Sequence, residues 1–262
     1  MLLRRVIEHV KTQNWTAVAL DFFIVIVGVF IGTNVTNWND GRITQERSQT
    51  FTARLQNDLR VEFEYAVSLQ AYLNSANEAS TAAFNGLTQV ADLSDRAILI
   101  NIFRASQYQW YERRSATFQE LLSSGELGLI SDDTLRETAV RFYSNSATVF
   151  ELIKKQAESA QLRQMVDELI DPDVRVALQT ECGDREYESA GGVTGLFTIS
   201  YPCEIAMIDD AAVEKAVASF RDDPKLVRAL RRQAALFSAQ TFNIAYMRDL
   251  SGMDALFMDE VE

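Results

Sequence analysis

Proline and glycine are scarce in this chain, which holds only 3 Pro and 11 Gly among 262 residues. Because these two residues punctuate folds built of strands and turns, long stretches without them favour helices. Apolar residues make up 47% of the chain, which is enough to bury a sizeable core and argues against a disordered protein. The composition therefore predicts a mainly α protein.

Basic residues and histidine are also in short supply. Lys and Arg number 25 against 37 Asp and Glu, and the resulting net charge of −12 repels a nucleic-acid backbone. We therefore expect no nucleic-acid partner. The single histidine, His9, lies near the N-terminus. A Ser-His-Asp triad and a histidine-ligated zinc site are thereby excluded from the rest of the chain.

Motifs for cofactors and metals are missing as well. The glycine-rich segment 189–195 lacks the Lys-Ser/Thr ending of a phosphate-binding loop, so a hairpin turn is the favoured interpretation. Acid doublets at 132–133, 209–210 and 222–223 stand where helices start, which favours capping over calcium binding. A hydrolase with a carboxylate pair stays open, although no pair is singled out. We expect no enzyme activity, no cofactor and no metal.

One long apolar run stands near the N-terminus. Residues 17–35 carry a single charge, Asp21, and as a helix they reach about 28 Å, close to the hydrocarbon thickness of a bilayer. Trp15 and Trp38 bracket the run, as expected for aromatic anchors at two lipid interfaces. No A-x-A-like cleavage pattern follows it. The run predicts an uncleaved transmembrane helix over residues 16–37, with a buried core helix as the alternative.

The first 15 residues predict the orientation of this helix. They carry Arg4, Arg5 and Lys11 against one acid, Glu8, which is typical of a cytoplasmic segment. Their apolar residues fall on one helical face, so residues 1–15 are predicted to form an amphipathic head in the membrane interface. The alternative is that they form the fraying start of the transmembrane helix.

Two cysteines supply a second argument about the compartment. Cys182 and Cys203 flank a glycine-containing segment that can fold back on itself. A disulfide between them would form in an oxidising compartment and stabilise the fold by roughly 3 kcal/mol. Two buried free thiols are the alternative. Together with the charged head, the cysteines predict that residues 38–262 form an extracytoplasmic domain.

Small residues and one acid share a face of the predicted transmembrane helix. At about 100° per residue, Ala17, Asp21, Gly28 and Gly32 lie within roughly 40° of Asp21. The G-x-x-x-G spacing lets two helices approach closely, and a carboxyl on this face would point toward a neighbouring helix rather than lipid. In the alternative interpretation, Asp21 lies at headgroup depth beside the positive end of the helix dipole.

Four segments follow a recognisable pattern: L-L-R-R-V-I-E-H-V-K-T-Q-N-W at 2–15, A-L-D-F-F-I-V-I-V-G-V-F-I-G at 19–32, N-W-N-D at 37–40, and L-L-S-S-G-E-L-G-L-I-S-D-D-T-L-R at 121–136. They resemble a domain-of-unknown-function family of bacterial single-span membrane proteins. The resemblance implies that the head and the span, including Asp21, belong to a sequence pattern that members of the family share. It implies little about function, because the family is uncharacterised. The predicted location is the bacterial inner membrane, with a cytoplasmic N-terminus and a periplasmic C-terminal domain.

Beyond the span, apolar residues recur at steps of three and four. They predict one helix from residue 38 to about 83, possibly continuous with the span, and a second over 94–124. A third begins at Ser131 or Asp132 and runs almost to residue 170. Asp-Pro pairs at 171–172 and 223–224 predict two further helix starts, the last helix reaching about residue 250.

The only convincing strand covers residues 195–201, as one arm of a small β-hairpin near the cysteines. Long helices joined by short links predict an elongated helical bundle standing on the membrane. The predicted function is that of a non-enzymatic assembly component, which docks through its transmembrane helix onto copies of itself or another integral membrane protein. The alternative is a ligand-sensing ectodomain that signals through a separate partner, since a head of 15 residues cannot house an output domain.

The oxidation state of the two cysteines tests the predicted orientation. In protein taken from cells lysed in the presence of a thiol-alkylating reagent, we expect no modified cysteine. After denaturation and reduction, Cys182 and Cys203 should both be alkylated, as counted by mass spectrometry. Two thiols that are modified without reductant would contradict an extracytoplasmic domain.

Overall fold

The computed structural model of the protein describes residues 15–159 and 161–258. Its first helix, α1, spans Trp15–Leu87 and is 73 residues long. The later helices are α2 Asp95–Ala105, α3 Ala116–Ser124, α4 Asp133–Ser159, α5 Gln161–Leu169, α6 Pro172–Cys182, α7 Asp210–Arg221, α8 Pro224–Ser251 and α9 Met253–Phe257. A short 3-10 helix at Leu127–Leu129 and the strands β1 Arg185–Tyr187 and β2 Leu196–Thr198 complete the described elements. The predicted mainly α fold is confirmed.

Helix α1 passes without a break from the apolar segment into the bundle. The described side chains from 19 to 47 are exposed, and the first contacts with the bundle are made by Arg47 with Glu126 and by Ser48 with the Leu129 carbonyl. From Phe51 onward one face of the helix is buried, at the three-and-four spacing that predicted it: Phe51, Leu55, Leu59, Phe63, Ala66, Leu69, Leu73 and Ala76. The amphipathic helix over 38–83 is therefore confirmed, and it is continuous with the apolar segment.

Two hydrophobic clusters follow one another along α1. The span-side cluster packs against residues 51–76 of α1 and takes most of its other members from α3, α4, α9 and the second half of α8. Tyr108, Ile130 and Ile199 join it from the connections between these elements. The far cluster packs against Ala83 and Leu87 and is built with α2, α5, α6, α7 and the first half of α8. Because α8 enters the far cluster first and the span-side cluster later, it runs antiparallel to α1. These two helices form the spine of the bundle.

Short polar side chains begin these helices as the sequence predicts. Ser94 accepts a hydrogen bond from the Ala97 amide at 3.2 Å, and Asp132 accepts one from the Leu135 amide at 3.0 Å. Asp209 and Asp223 cap α7 and α8 in the same way. One acid of each doublet therefore satisfies backbone donors at a helix start, which is the capping role expected from their positions.

The small sheet lies beside the disulfide and packs on α1. Strands β1 and β2 pair antiparallel, with Glu186 opposite Phe197, which confirms the predicted hairpin. Cys182 and Cys203 lie at disulfide distance, with Cα atoms 5.4 Å apart. In the connection between the strands, Gly192 has a φ of +77°, and a Cβ at Gly191 would collide with the Glu64 carboxylate. The glycine-rich segment is thus a turn that approaches α1 closely, as the hairpin interpretation requires.

One predicted helix is wrong in its middle. The sequence pattern predicts a helix over 94–124, whereas residues 106–115 form an irregular connection between α2 and α3. At the end of α2, the Ser106 hydroxyl and the Gln107 amide both donate to the Phe103 carbonyl, which closes the helix with side chains. The connection then lays Tyr108 and Tyr111 against the core. Trp110, the apolar residue of this stretch that fits the helical spacing, is instead 38% exposed.

The third predicted helix is confirmed over 133–159 and 161–169, and residue 160 lies outside the described residues. Residues 1–14, which hold most of the predicted amphipathic head, also lie outside them. The domain boundary at 37–38 coincides with no break in α1, so it stays a prediction that rests on hydropathy alone.

Truncation of a buried leucine in α1 tests its role as the spine of the bundle. Leu59 is fully buried in the span-side cluster, so Leu59→Ala should lower the free energy of unfolding by about 3 kcal/mol through lost contacts and a cavity. Chemical unfolding of the full chain in mild detergent measures this change. The control Gln56→Ala, on the exposed face of the same helix, should change stability by less than about 0.5 kcal/mol. Equal effects of the two substitutions would contradict the packing.

Candidate functional site

The apolar segment of α1 is the one candidate membrane span among the described residues. Its most apolar window of 18 residues has a mean hydropathy of 2.0 and is 0% buried. Large side chains stand exposed all round the helix, among them Phe22, Phe23, Ile26 and Phe30. The segment therefore does not serve as a core helix within this chain.

The face that carries Asp21, Gly28 and Gly32 is open in the single chain. A Cβ placed on either glycine would meet no other atom within 4 Å. Asp21 is exposed and forms no hydrogen bond or ion pair with any residue that the structure describes. The side chains of Ala17 and Trp15 lie outside the described ones. The face can therefore receive a second helix without rearrangement of the bundle.

Polar side chains at the end of the apolar segment bond to the helix itself. Thr33 and Asn34 donate to the Phe30 carbonyl at 3.0 and 2.7 Å, and Thr36 donates to the Gly32 carbonyl at 3.0 Å. Such bonds satisfy the hydrogen-bond donors of these side chains within the helix itself. Trp38, the predicted interface anchor, follows immediately and is 74% exposed.

The predicted site residues fall in two separate places. Asp21, Gly28, Gly32 and Trp38 lie on the exposed part of α1, whereas Cys182 and Cys203 pack in the far cluster at the other end of this helix. The structure does not bring these two groups together. The cysteines fix the hairpin to the end of α6, which is a structural role.

A buried carboxylate that the sequence analysis missed lies between α1 and the connection that follows α2. Glu62 is fully buried, and its carboxylate accepts hydrogen bonds from the Arg114 amide and from the Tyr111 hydroxyl, the latter at 3.4 Å. The Tyr143 hydroxyl of α4 donates to the Arg114 carbonyl at 2.7 Å. Glu62 therefore anchors the 106–115 connection to α1. The signal in the sequence is an acid next to Phe63, on the buried side of an amphipathic helix.

Burial sets the protonation of this carboxylate. Loss of contact with water raises the pKa of Glu62 from 4.5 to about 7. The hydrogen bond from the Arg114 amide and the charges of Arg113 and Arg114 favour the ionised form, but they offset only part of this rise. Burial likewise raises the pKa of Tyr111 well above its ordinary value, and the neighbouring Glu62 charge adds to that rise. Tyr111 thus stays a hydrogen-bond donor at every physiological pH.

The raised pKa of Glu62 predicts a pH-dependent stability. The folded chain holds this proton more tightly than the unfolded chain, so its stabilisation is fully present below about pH 4.5 and is lost as the pH rises through about 7. Glu62→Gln, which resembles the protonated carboxyl, should match the wild type near pH 4.5. Above pH 7 it should be more stable by up to about 3 kcal/mol.

Chemical unfolding of the full chain in detergent, from pH 4.5 to 8, measures this difference. The control Glu78→Gln replaces an exposed acid of the same helix and should show no such dependence. A Glu62→Gln variant whose stability runs parallel to the wild type over the whole range would contradict the assignment.

Comparison of the chain with models of protein families, with curated proteins and with solved structures found no match. The resemblance to bacterial single-span membrane proteins therefore stays a prediction from the sequence.

Proposed function

We propose that the protein is a non-enzymatic assembly component of the bacterial inner membrane. In this proposal α1 crosses the membrane once, with a cytoplasmic N-terminus and a periplasmic bundle. The chain then acts as a homo-oligomer or as an accessory subunit of a larger complex. The observation that carries the proposal is the continuity of α1, whose first part is exposed and apolar and whose second part is the spine of the bundle.

The exposed part of α1 supports docking in the membrane. Van der Waals contact between small residues drives helix association in lipid, and the surface over Gly28 and Gly32 is unoccupied in the single chain. A carboxylate such as Asp21 is costly in a lipid environment and is stabilised when it faces a polar partner. A second helix on this face would supply both kinds of contact.

The continuity of α1 also supports a mechanical role. Residues 38–46 extend the helix by about 13 Å between the apolar segment and the first bundle contact. Because both hydrophobic clusters pack on the same helix, a partner that tilts or rotates the span also moves the bundle. The bundle is thereby held at a fixed distance from the membrane surface.

A second candidate function, a ligand-sensing ectodomain, is favoured by one observation. A cavity lined by α4, α5 and α8 opens on the side of the bundle. Sensing would require a separate protein to carry the signal across the membrane, and the open face of α1 would then be the contact with that protein.

Helix docking is tested by the mass of the complex extracted in mild detergent. The wild-type chain should run as an oligomer or with a stoichiometric membrane-protein companion. Gly28→Leu and Asp21→Leu should shift it to the monomer, because a large side chain blocks close approach and a lost carboxylate removes the polar contact. Native mass spectrometry and chemical crosslinking in membranes measure the change.

The matched control is Val27→Phe. It adds the same number of carbon atoms as Gly28→Leu, at a position turned about 100° away from Gly28. This variant should keep the wild-type mass. A wild-type chain that is monomeric and without a companion, or one that loses its companion equally in all three variants, would rule out docking through this face.

A further inference from the structure

A cavity of about 410 Å³ lies where the two hydrophobic clusters meet along α8. Tyr108 and Phe237 belong to the span-side cluster, whereas Leu162 and Leu230 belong to the far cluster. The cavity opens between them and is bounded by α4, α5 and α8. Its volume is within the range of small-molecule sites, about 300 to 1,000 Å³.

Basic side chains line one wall of this cavity. Lys225, Arg228 and Arg232 are spaced three and four residues apart on α8, so they share one face of that helix. The chain has no acid between positions 224 and 248, although acids outnumber bases overall. A cluster of positive charge therefore interrupts an otherwise acidic protein.

The side chains of these three cations form no ion pair with the residues that the structure describes. Most other basic side chains of the bundle form ion pairs, for example Arg96 with Asp210 at 2.6 Å and Arg221 with Asp95 at 2.8 Å. All three side chains are exposed, so their charges are open to an anion that enters the cavity.

Buried polar groups form the floor of the cavity. Tyr108 is 8% exposed, and its hydroxyl oxygen accepts a hydrogen bond from the amide of Gln233, which is 5% exposed. The Tyr108 hydroxyl donates to no other residue in the described part of the chain, so its proton is free to bond a ligand. Burial raises the pKa of Tyr108, which keeps that proton in place.

Apolar side chains complete the lining. Leu162, Met165, Ala229 and Leu236 stand beside the cations and the buried tyrosine. A site that combines apolar walls with a few convergent polar groups is typical of organic ligands rather than of a bare inorganic ion. Cations on one wall and a hydroxyl donor on the floor select for negative charge on such a ligand.

We propose that this cavity binds a small organic anion that carries two or more negative charges as carboxylate or phosphate groups. Lys225, Arg228 and Arg232 hold the charged groups, and the Tyr108 hydroxyl donates a hydrogen bond to an oxygen that reaches the floor. The apolar side chains contact the carbon skeleton. The inference does not depend on oligomeric state, so its outcome is independent of the test of helix docking.

Isothermal titration calorimetry on the full chain in detergent tests the proposal. The probes are citrate for carboxylates, glycerol 3-phosphate for phosphate monoesters, inorganic phosphate without a carbon skeleton, and spermidine with the opposite charge. We expect at least one of the two organic anions to bind once per chain with a Kd below about 1 mM, and tighter than inorganic phosphate. Spermidine should not bind the cavity.

Variants locate the site. Arg228→Gln and Arg232→Gln, each made alone, should weaken binding by about tenfold, because each removes a charged donor. Tyr108→Phe should weaken it several-fold without a change in charge. The matched control is Arg231→Gln, which removes one charge from the same helix at a position that does not line the cavity. Circular dichroism checks that each variant is folded.

Absence of saturable binding by both organic anions would overturn the proposal. It would also be overturned if Arg231→Gln weakened binding as much as Arg228→Gln or Arg232→Gln, since the attraction would then come from overall charge. Unchanged binding by Tyr108→Phe would place the anion on the surface rather than in the cavity, which contradicts the assignment as well.

Discussion

Helix α1 experiences two different environments along one continuous hydrogen-bonded axis. Over its first part, apolar side chains point outward in every direction, and over its second part they form one stripe that both clusters cover. The later helices of the bundle pack against this second part. The span-side cluster and the far cluster cover successive parts of its apolar stripe, so the bundle is elongated along α1 and has two cores instead of one.

Two acidic side chains of α1 hold the irregular parts of the bundle. Glu62 anchors the 106–115 connection, and Glu64, through Arg60 and Ser189, holds the glycine-rich turn of the hairpin. Tyr65 follows Glu64 directly in the sequence, and its hydroxyl donates to the Thr194 carbonyl at 2.7 Å. A short stretch of one helix therefore positions two segments that have little regular structure of their own.

Polar side chains are buried at the point where the two clusters meet. Helix α8 leaves the far cluster after Leu230 and enters the span-side cluster at Phe237, and between them it presents Gln233 to Tyr108. A cavity at this junction interrupts neither core. The bundle can therefore keep cations and buried polar groups there while both clusters stay close-packed.

The sequence by itself determined the mainly α class, the apolar segment, the buried stripe from Phe51 to Ala76 and the capping acids, because each depends on local periodicity or on backbone groups a few residues away. It also predicted the pairing of Cys182 with Cys203, since the intervening segment can fold back. Only the tertiary structure decided that residues 106–115 leave the helix, that Glu62 is buried beneath them, and that the cations of α8 line a cavity. Those features depend on contacts between residues 50 or more positions apart, for which a single sequence carries no periodic signal.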